Sequence, residues 1–173
     1  ESASGDLAIV VDVTTNTVSE GSINDDVLTG TSGNDLIHGY AGDDQINAGA
    51  GNDIMFGGLG ADTFAWDLGD QGTEAAPALD IVGDFTLGDF GVDANADRID
   101  LADLLSFSGG SDEITDFLSV SVSGSDSVIS ISNDGDGTIT QNIVLKDVDL
   151  STLGSNEAEI IDSLISSGNL IVE

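Results

Sequence analysis

A nine-residue pattern of apolar, glycine and polar positions runs without a break through residues 21–65. The five units read GSINDDVLT, GTSGNDLIH, GYAGDDQIN, AGAGNDIMF and GGLGADTFA. The eighth position is always apolar: Leu28, Ile37, Ile46, Met55 and Phe64. Positions 7 to 9 predict a short strand whose middle side chain points inward, because successive strand residues face opposite sides.

The first six positions of each unit predict a turn. Position 4 is glycine except in the first unit: Asn24, Gly33, Gly42, Gly51 and Gly60. Glycine allows positive φ and lets main-chain carbonyl groups come close together. One strand cannot bury its inward side chain alone, whereas stacked strands can. The pattern therefore predicts an all-β fold, a parallel β-roll with the apolar column as its core.

The sixth position of every unit is aspartate, and these five residues are the predicted metal ligands: Asp26, Asp35, Asp44, Asp53 and Asp62. Calcium takes about six to eight oxygen ligands from carboxylates and carbonyl groups, and a glycine turn that ends in aspartate supplies both. The nine-residue signature is typical of calcium-binding parallel β-rolls. The turn residues at position 4 are included in the predicted sites.

Two units form one coil of such a roll, so the aspartates of alternate units line the same edge. One edge is predicted to carry Asp26, Asp44 and Asp62, and the other Asp35 and Asp53. This arrangement predicts about three sandwiched calcium sites, between the neighbouring pairs 26/44, 44/62 and 35/53. Sites at the ends of the stack would need other ligands.

Three further groups of oxygen-rich side chains leave alternatives open. Position 5 is polar in four units, at Asp25, Asn34, Asp43 and Asn52, and these side chains either add ligands or face water and the local turn. Asp93, Asn95 and Asp97 have the spacing of a calcium loop, but Arg98 and Leu104 replace the glycine and glutamate of an EF-hand. Asp134 and Asp136 lie in an NDGDG segment that is also typical of a hairpin turn.

The flanking segments predict a β-rich C-terminal cap with one or two short helices. Residues 1–20 contain a strand at 7–13 and a linker, and Trp66 is expected to cap the roll that ends at residue 65. Residues 66–155 form the cap, with a strand and helical turn at 98–105 and a hairpin or small sheet over 111–153. Residues 156–167 predict a helix that Gly168 ends, before a short strand at 169–172.

The charge of the chain favours conditional folding. Its 173 residues carry 33 acidic side chains and two basic ones, Arg98 and Lys146, which gives a net charge of −31. Such a chain repels itself when compact unless cations are supplied, so we expect disorder without calcium and order with it. Too few basic residues are present to bind nucleic acid or an anionic membrane. Cysteine is absent, and no apolar run reaches the length of about 20 residues needed to span a bilayer.

The sequence offers no convincing catalytic group, and we expect no enzymatic activity. His38 is the sole histidine and sits at position 9 of a repeat, where a solvated side chain is expected. A nucleophile–base triad would have to use it. Tyr40 and Trp66 are isolated in sequence, so no aromatic platform for a sugar is predicted. Because the chain starts at Glu1 rather than methionine, we expect it to be a piece of a longer protein.

The repeats resemble those of the repeats-in-toxin (RTX) proteins that leave Gram-negative bacteria by type I secretion. LDIVGDFTLG at 79–88 and DRIDLADLL at 97–105 are similar to the C-terminal region of large RTX adhesins. The resemblance implies a calcium-binding module that folds outside the cell and supports surface attachment and biofilm formation. It also implies an uncleaved type I secretion signal, in the place of residues 156–173.

The partners implied are calcium, the type I transporter during export and upstream domains of the same chain. A monomer without membrane insertion, secreted or held at the cell surface, is expected. Two alternatives stay open: a C-terminal module of an RTX protease or lipase whose catalytic domain lies upstream, and a module that is itself adhesive.

Overall fold

Short strands dominate the computed structural model, which describes residues 17–106 and 113–173. The strand predicted at 7–13 lies outside the described residues. The strands in these two ranges are β1 (Val18–Glu20), β2 (Val27–Thr31), β3 (Leu36–Ala41), β4 (Gln45–Gly49), β5 (Ile54–Leu59), β6 (Thr63–Ala65), β7 (Ala78–Val82), β8 (Arg98–Asp100), β9 (Leu118–Ser123), β10 (Asp126–Ile131), β11 (Gln141–Leu145) and β12 (Leu170–Ile171). The helices are α1 (Ile114–Phe117), a 3₁₀ turn (Leu150–Thr152) and α2 (Glu157–Ser166). None of these helices is long and apolar enough to cross a bilayer.

Consecutive repeat strands alternate between two sheets. One sheet has the order β1-β3-β5-β7-β11-β10-β9 and the other β12-β8-β6-β4-β2. The strands of the repeats pair in parallel with the strand two units away, as Leu28 with Ile46 and Ile37 with Met55. The prediction of an all-β parallel β-roll with two units per coil is therefore confirmed.

The core of the roll is the column of eighth-position side chains. Ile37, Ile46, Met55 and Phe64 are fully buried, whereas Leu28 of the first unit is partly buried. Each of these side chains packs on the one in the neighbouring coil because a strand alone has no second face to cover it. The core continues without interruption into the C-terminal region.

The parallel ladder extends past residue 65, where the sequence pattern placed the end of the roll. Strand β7 pairs with β5, aligning Met55 with Val82, and β8 pairs with β6, aligning Phe64 with Ile99. Trp66, expected to cap the end of the roll, is instead an internal residue whose backbone N–H donates to the carbonyl of Asp100 in the next coil. Strand β12 then pairs in parallel with β8 and closes the second sheet.

The remaining strands convert the first sheet from parallel to antiparallel. Strand β11 pairs in parallel with β7, while β10 and β9 add antiparallel strands beyond it. Helix α2 lies against β9, and its N-terminus is capped by Asn156, whose side chain accepts from the N–H of Glu159 at 3.1 Å. The hairpin, the helix and the final strand lie where the sequence predicted them.

Candidate calcium sites

The position-6 aspartates form two vertical columns in the roll. The N–H of Asp26 donates to Oδ1 of Asp44 at 2.8 Å, and the N–H of Asp44 donates to Oδ1 of Asp62 at 2.9 Å. On the other edge, the N–H of Asp35 donates to Oδ1 of Asp53 at 2.7 Å. The aspartates are thus stacked in the order that two units per coil requires.

The second oxygen of each carboxylate behaves differently along the columns. Oδ2 of Asp26 accepts from the N–H of Ser22 at 2.6 Å, and Oδ2 of Asp35 accepts from the N–H and the hydroxyl of Thr31. The Oδ2 atoms of three other aspartates are buried and accept no hydrogen bond from any residue in the described ranges: Asp44, Asp53 and Asp62. A buried carboxylate oxygen without a donor is costly, which indicates a cation as its natural partner.

Glycine at position 1 makes room for these oxygens. A Cβ at Gly39 would collide with both Oδ2 of Asp44 and the carbonyl oxygen of Gly57 in the next turn. These two oxygens, from neighbouring turns, therefore lie on the same side of the Gly39 Cα. A carboxylate and a carbonyl converging on one space are the ligand types that calcium prefers.

Glycine at position 4 brings a second set of carbonyl groups between the turns. Gly60 has φ of 127°, and a Cβ there would meet the carbonyl oxygen of Gly42 in the preceding turn. This backbone conformation strongly favours glycine. Any side chain at this position would push neighbouring turns apart, which explains why glycine occupies it.

Burial of the carboxylates raises their proton affinity in the absence of a cation. Desolvation raises the pKa of Asp53 to about 8 and that of Asp62 to about 6, and it raises the pKa of Asp44 as well. Neighbouring carboxylates add to the effect, Asp80 and Asp35 for Asp53. A divalent cation that replaced the proton at these carboxylates would offset both the loss of solvent and the repulsion between neighbouring carboxylates.

Calcium fits this donor set, because the carboxylates are joined by main-chain oxygens. Between residues 17 and 106, and again from 113 to 173, no three Asp, Glu or His side chains converge as in a site built of side chains alone. Each gap between turns offers two aspartates and the carbonyl groups of the glycine-rich turns. Metal binding by the individual aspartates, by Asn24 and by the position-4 glycines stays a prediction.

Position-5 side chains form a separate hydrogen-bonded ladder near the surface. Asp25 accepts from the N–H of Asp43 at 2.9 Å, and Asp43 accepts from the N–H of Ala61 at 2.9 Å. On the other edge, Asn34 accepts from the N–H of Asn52 at 3.0 Å. These side chains accept hydrogen bonds from neighbouring turns, so they link successive turns of the roll as well as facing the surface.

The two further loops considered for calcium are not equivalent. Asp97 is buried and bonds to the roll, whereas Asn95 is exposed and Asp93 accepts from the N–H of Asp89 at 2.9 Å. The three side chains of this loop therefore serve different partners.

The NDGDG loop is held by its own residues. Asp134 accepts from the N–H of Asp136 at 3.3 Å, and Asp136 accepts from that of Thr138 at 2.7 Å. These bonds are those of a polar hairpin turn.

Two aspartates outside the repeats continue the columns: Asp80, which the sequence analysis did not consider, and Asp97, which it considered only as part of a separate loop with Asp93 and Asn95. The N–H of Asp53 donates to Oδ1 of Asp80 at 2.8 Å, and the N–H of Asp62 donates to Oδ1 of Asp97 at 3.0 Å. Both contacts repeat the geometry found between aspartates of the nonapeptide units. Burial raises the pKa of Asp80 to about 6 and that of Asp97 to about 7.

The fold also gathers aromatic rings that are separate in sequence. His38 stacks on Phe56 with ring centroids 4.7 Å apart, and on Tyr40 with centroids 5.8 Å apart. The hydroxyl of Tyr40 donates to Glu20 at 3.3 Å. His38 is therefore a packed outer-face residue rather than a purely solvated one, and Tyr40 is not isolated in space.

Comparison with known proteins agrees with this geometry. Residues 20–55 and 29–64 match the family model of the RTX calcium-binding nonapeptide repeat (4 copies). Among solved structures, the AlgE6R3 subunit of the Azotobacter vinelandii mannuronan C5-epimerase is 29% identical, with 87% of this chain and 80% of that chain covered and a TM-score of 0.51. The AlgE6R2 subunit of the same epimerase is 25% identical, with 90% and 92% covered and a TM-score of 0.53. No curated protein matches the chain significantly in sequence.

The chain is similar to these subunits in fold, and it contains RTX calcium-binding repeats. Its roll is a calcium-binding module, and its cofactor is Ca²⁺.

Proposed function

We propose that this chain is the calcium-binding C-terminal module of a secreted bacterial RTX adhesin. The module folds when it meets extracellular calcium, carries the type I secretion signal, and supports export, attachment to surfaces and biofilm formation. It has no catalytic role of its own. The observation that carries the proposal is the set of three buried carboxylate oxygens without donors, at Asp44, Asp53 and Asp62, in a chain of net charge −31.

Folding without a cation is opposed by these aspartates. Asp44, Asp53 and Asp62 are at most 1% exposed, so folding must either desolvate their charge or protonate them. When bound, calcium would supply positive charge to these carboxylates, and the carboxylate and main-chain oxygens of the turns are the groups that would hold it. The fraction of the roll that is folded therefore depends on the surrounding cation concentration.

This dependence matches the difference between the two sides of a bacterial envelope. Free calcium is scarce in the cytosol, where an unfolded acidic chain is able to thread a transporter. Extracellular calcium modules bind with Kd of about 10⁻⁴ to 10⁻³ M, so sites of this kind fill after export. Since the C-terminal end leaves first, its folding outside the cell would discourage backward movement.

The segment assigned to the secretion signal belongs to the folded module. In residues 156–173, Ile160, Ile161, Leu164 and Leu170 are buried, and β12 closes the second sheet. A transporter that reads this segment must therefore do so before calcium-driven folding buries these side chains. This order of events is consistent with a signal that is recognised in the cytosol and packed away outside.

A paired substitution tests the proposal. Asp44→Ala with Asp53→Ala should remove one carboxylate from each column and lower both calcium-induced folding and the secreted yield of a reporter fused to the chain. Folding is measured by far-ultraviolet circular dichroism during a calcium titration, with magnesium as the control ion. The matched control is Asp43→Ala with Asn52→Ala, which alters the adjacent surface ladder. Unchanged folding and yield in the first pair would refute the proposal.

A second candidate is the C-terminal module of a secreted RTX enzyme, such as a protease or lipase, whose catalytic domain lies upstream in the parent protein. It is favoured by the similarity to subunits of a mannuronan C5-epimerase. Deletion of the parent gene separates the candidates. Under the adhesin proposal, the deletion abolishes calcium-dependent binding of whole bacteria to surfaces. Under the alternative, it abolishes an extracellular enzymatic activity.

A further inference from the structure

We propose that two calcium ions bind beyond the nonapeptide repeats, one between Asp62 and Asp97 and one between Asp53 and Asp80. The inference rests on calcium binding by the roll and is independent of whether the parent protein is an adhesin or an enzyme. It extends the predicted sites by one turn at the C-terminal end of each column.

The direction of the carboxylates within a column assigns each oxygen to one gap between turns. Oδ1 of Asp44 accepts from Asp26, so it faces the preceding turn. Oδ2 of Asp44 lies beside the Gly39 Cα together with the carbonyl oxygen of Gly57, so it faces the following turn. Each aspartate therefore contributes Oδ1 to the gap before it and Oδ2 to the gap after it.

The same rule places the buried Oδ2 of Asp62 in the gap before the segment 84–97. This oxygen lies against Gly57, where a Cβ would collide with it. Across the gap, Asp97 accepts from the N–H of Asp62, and Asp84 accepts from those of Gly57 and Gly58 at 3.0 Å each. Asp84 and Asp97 thus bond from one segment to the turn that carries Asp62, and Oδ2 of Asp62 faces this gap without a donor among the described residues.

The other column ends in a second gap of this kind. Oδ2 of Asp53 is buried without a donor among the described residues, and Asp80 lies across from it, accepting the N–H of Asp53. Gln141 donates from Nε2 to Oδ2 of Asp80 at 2.8 Å, which fixes its amide orientation and leaves its buried Oε1 also without a described donor. Oδ2 of Asp53 and Oε1 of Gln141 are therefore two buried acceptors without a described donor, and both residues bond to Asp80. One cation is able to take several oxygen ligands at once, whereas hydrogen bonds would require a separate donor for each oxygen.

The earlier gaps are better supplied by the protein itself. The Oδ2 atoms of Asp26 and Asp35 accept main-chain hydrogen bonds in the first two gaps, 26/44 and 35/53. The demand for a cation is consequently greater in the later gaps, which are 44/62 inside the repeats and the two end gaps, 53/80 and 62/97. Together with the three gaps inside the repeats, the two end gaps give an expected total of about five calcium ions.

The number of ions bound by the full chain is the first test, measured by native mass spectrometry and by isothermal titration calorimetry. We expect five ions for the unaltered chain, four for Asp97→Asn, four for Asp80→Asn and three for the double variant. Asn keeps an oxygen for the column hydrogen bond while removing the charge. Asp43→Asn is the matched control and should keep five.

A count of three ions in the unaltered chain would overturn this inference while leaving the calcium-binding roll intact, and a count of zero would overturn both. Retention of five ions by the folded double variant would overturn it as well. If circular dichroism shows that Asp97→Asn does not fold in saturating calcium, Asp84→Asn replaces it, again with four ions expected.

Terbium provides a probe of the second gap. Trp66 donates to Asp80 at 2.7 Å, so Tb³⁺ in the Asp53/Asp80 gap should be sensitised by selective excitation of this indole. The chain has a single tryptophan. We expect most of the sensitised emission to disappear in Asp80→Asn and to persist in Asp97→Asn. Equal emission from both variants would contradict the assignment of the Asp53/Asp80 gap.

Discussion

The indole Nε1 of Trp66 donates a hydrogen bond of 2.7 Å to Oδ2 of Asp80, and both side chains are buried. Trp66 directly follows β6 of the five-stranded sheet, whereas Asp80 belongs to β7 of the seven-stranded sheet. The bond therefore connects the two sheets of the roll at the point where the nonapeptide pattern has ended.

Trp66→Phe should destabilise the calcium-loaded protein by about 1 to 3 kcal/mol, because a buried carboxylate oxygen loses a donor while most of the apolar volume is kept. The measurement is urea unfolding followed by circular dichroism in saturating calcium. The control is Tyr40→Phe, which removes an exposed hydrogen bond of 3.3 Å and should stay within about 0.5 kcal/mol. Equal stability of the two variants would contradict the structural role of the Trp66–Asp80 bond.

Gly39→Ala should weaken calcium binding strongly. Its Cβ would enter the space shared by Oδ2 of Asp44 and the carbonyl oxygen of Gly57, so the turns must separate before an ion is accommodated. The calcium concentration at the midpoint of folding should rise at least about tenfold, equivalent to about 1.4 kcal/mol. Gly124→Asn is the control, since this turn glycine has open space around its Cα and φ of 67°, which asparagine tolerates. Similar midpoints for both variants would argue against a site beside Gly39.

The pH dependence of folding should have opposite signs with and without calcium. In the metal-free chain, the pKa of Asp53 is raised from 3.8 to about 8, so the folded state holds a proton that the unfolded state releases. Stability from this group is present below the unfolded pKa and is lost as the pH rises through the folded pKa. Asp62 and Asp97 add the same trend at lower pH, with pKa values of about 6 and 7.

In a chelator, the ordered fraction seen by circular dichroism should therefore fall between about pH 5 and pH 8. In calcium, the midpoint concentration for folding should decrease over the same range, because protons compete with the ion for these carboxylates. A midpoint calcium concentration that rises with pH would show that the aspartates are not the groups that take up calcium.

Asn156→Ala should lower stability by about 0.5 to 2 kcal/mol, since α2 loses the side chain that accepts from the N–H of Glu159 at 3.1 Å. Helix α2 packs on β9 and on β12, so its loosening weakens both sheets. Asp162→Ala, an exposed substitution within the same helix, should stay within about 0.5 kcal/mol. Thermal unfolding in saturating calcium measures both, and a larger loss for Asp162→Ala would contradict the cap.

The repeat itself made the roll predictable from sequence. A fixed period places every aspartate and every apolar side chain in register, so the pairing of Ile37 with Met55 follows from counting. The hairpin of β9 and β10 was visible for the same reason, because alternating Leu118 and Val120 have a period of two.

The continuation of the columns was hidden by spacing. Bonded aspartates in the repeats are 18 residues apart, but Asp80 follows Asp53 by 27 residues and Asp97 follows Asp62 by 35. Loops of unequal length separate them, and loop length carries little energetic penalty. The remaining signal is short: an aspartate two residues before an inward apolar residue, Val82 or Ile99.

Side-chain stacking across strands was likewise not visible from local sequence. His38 and Phe56 occupy equivalent positions of alternate units, and the register brings them side by side. A search for aromatic neighbours at the coil period of 18 residues, rather than along the chain, would have found this pair.

The bonds between successive aspartates also determine how this protein is able to change in length. Because the carboxylates of Asp44, Asp53 and Asp62 each accept from the amide 18 residues before them, a gain or loss of two units leaves every partner on its original edge. A gain or loss of one unit would move everything downstream to the opposite edge, so that β7 would meet the wrong sheet. Repeats are consequently expected to be gained or lost in pairs, because the strands that follow the repeats fit only when the number of units stays odd.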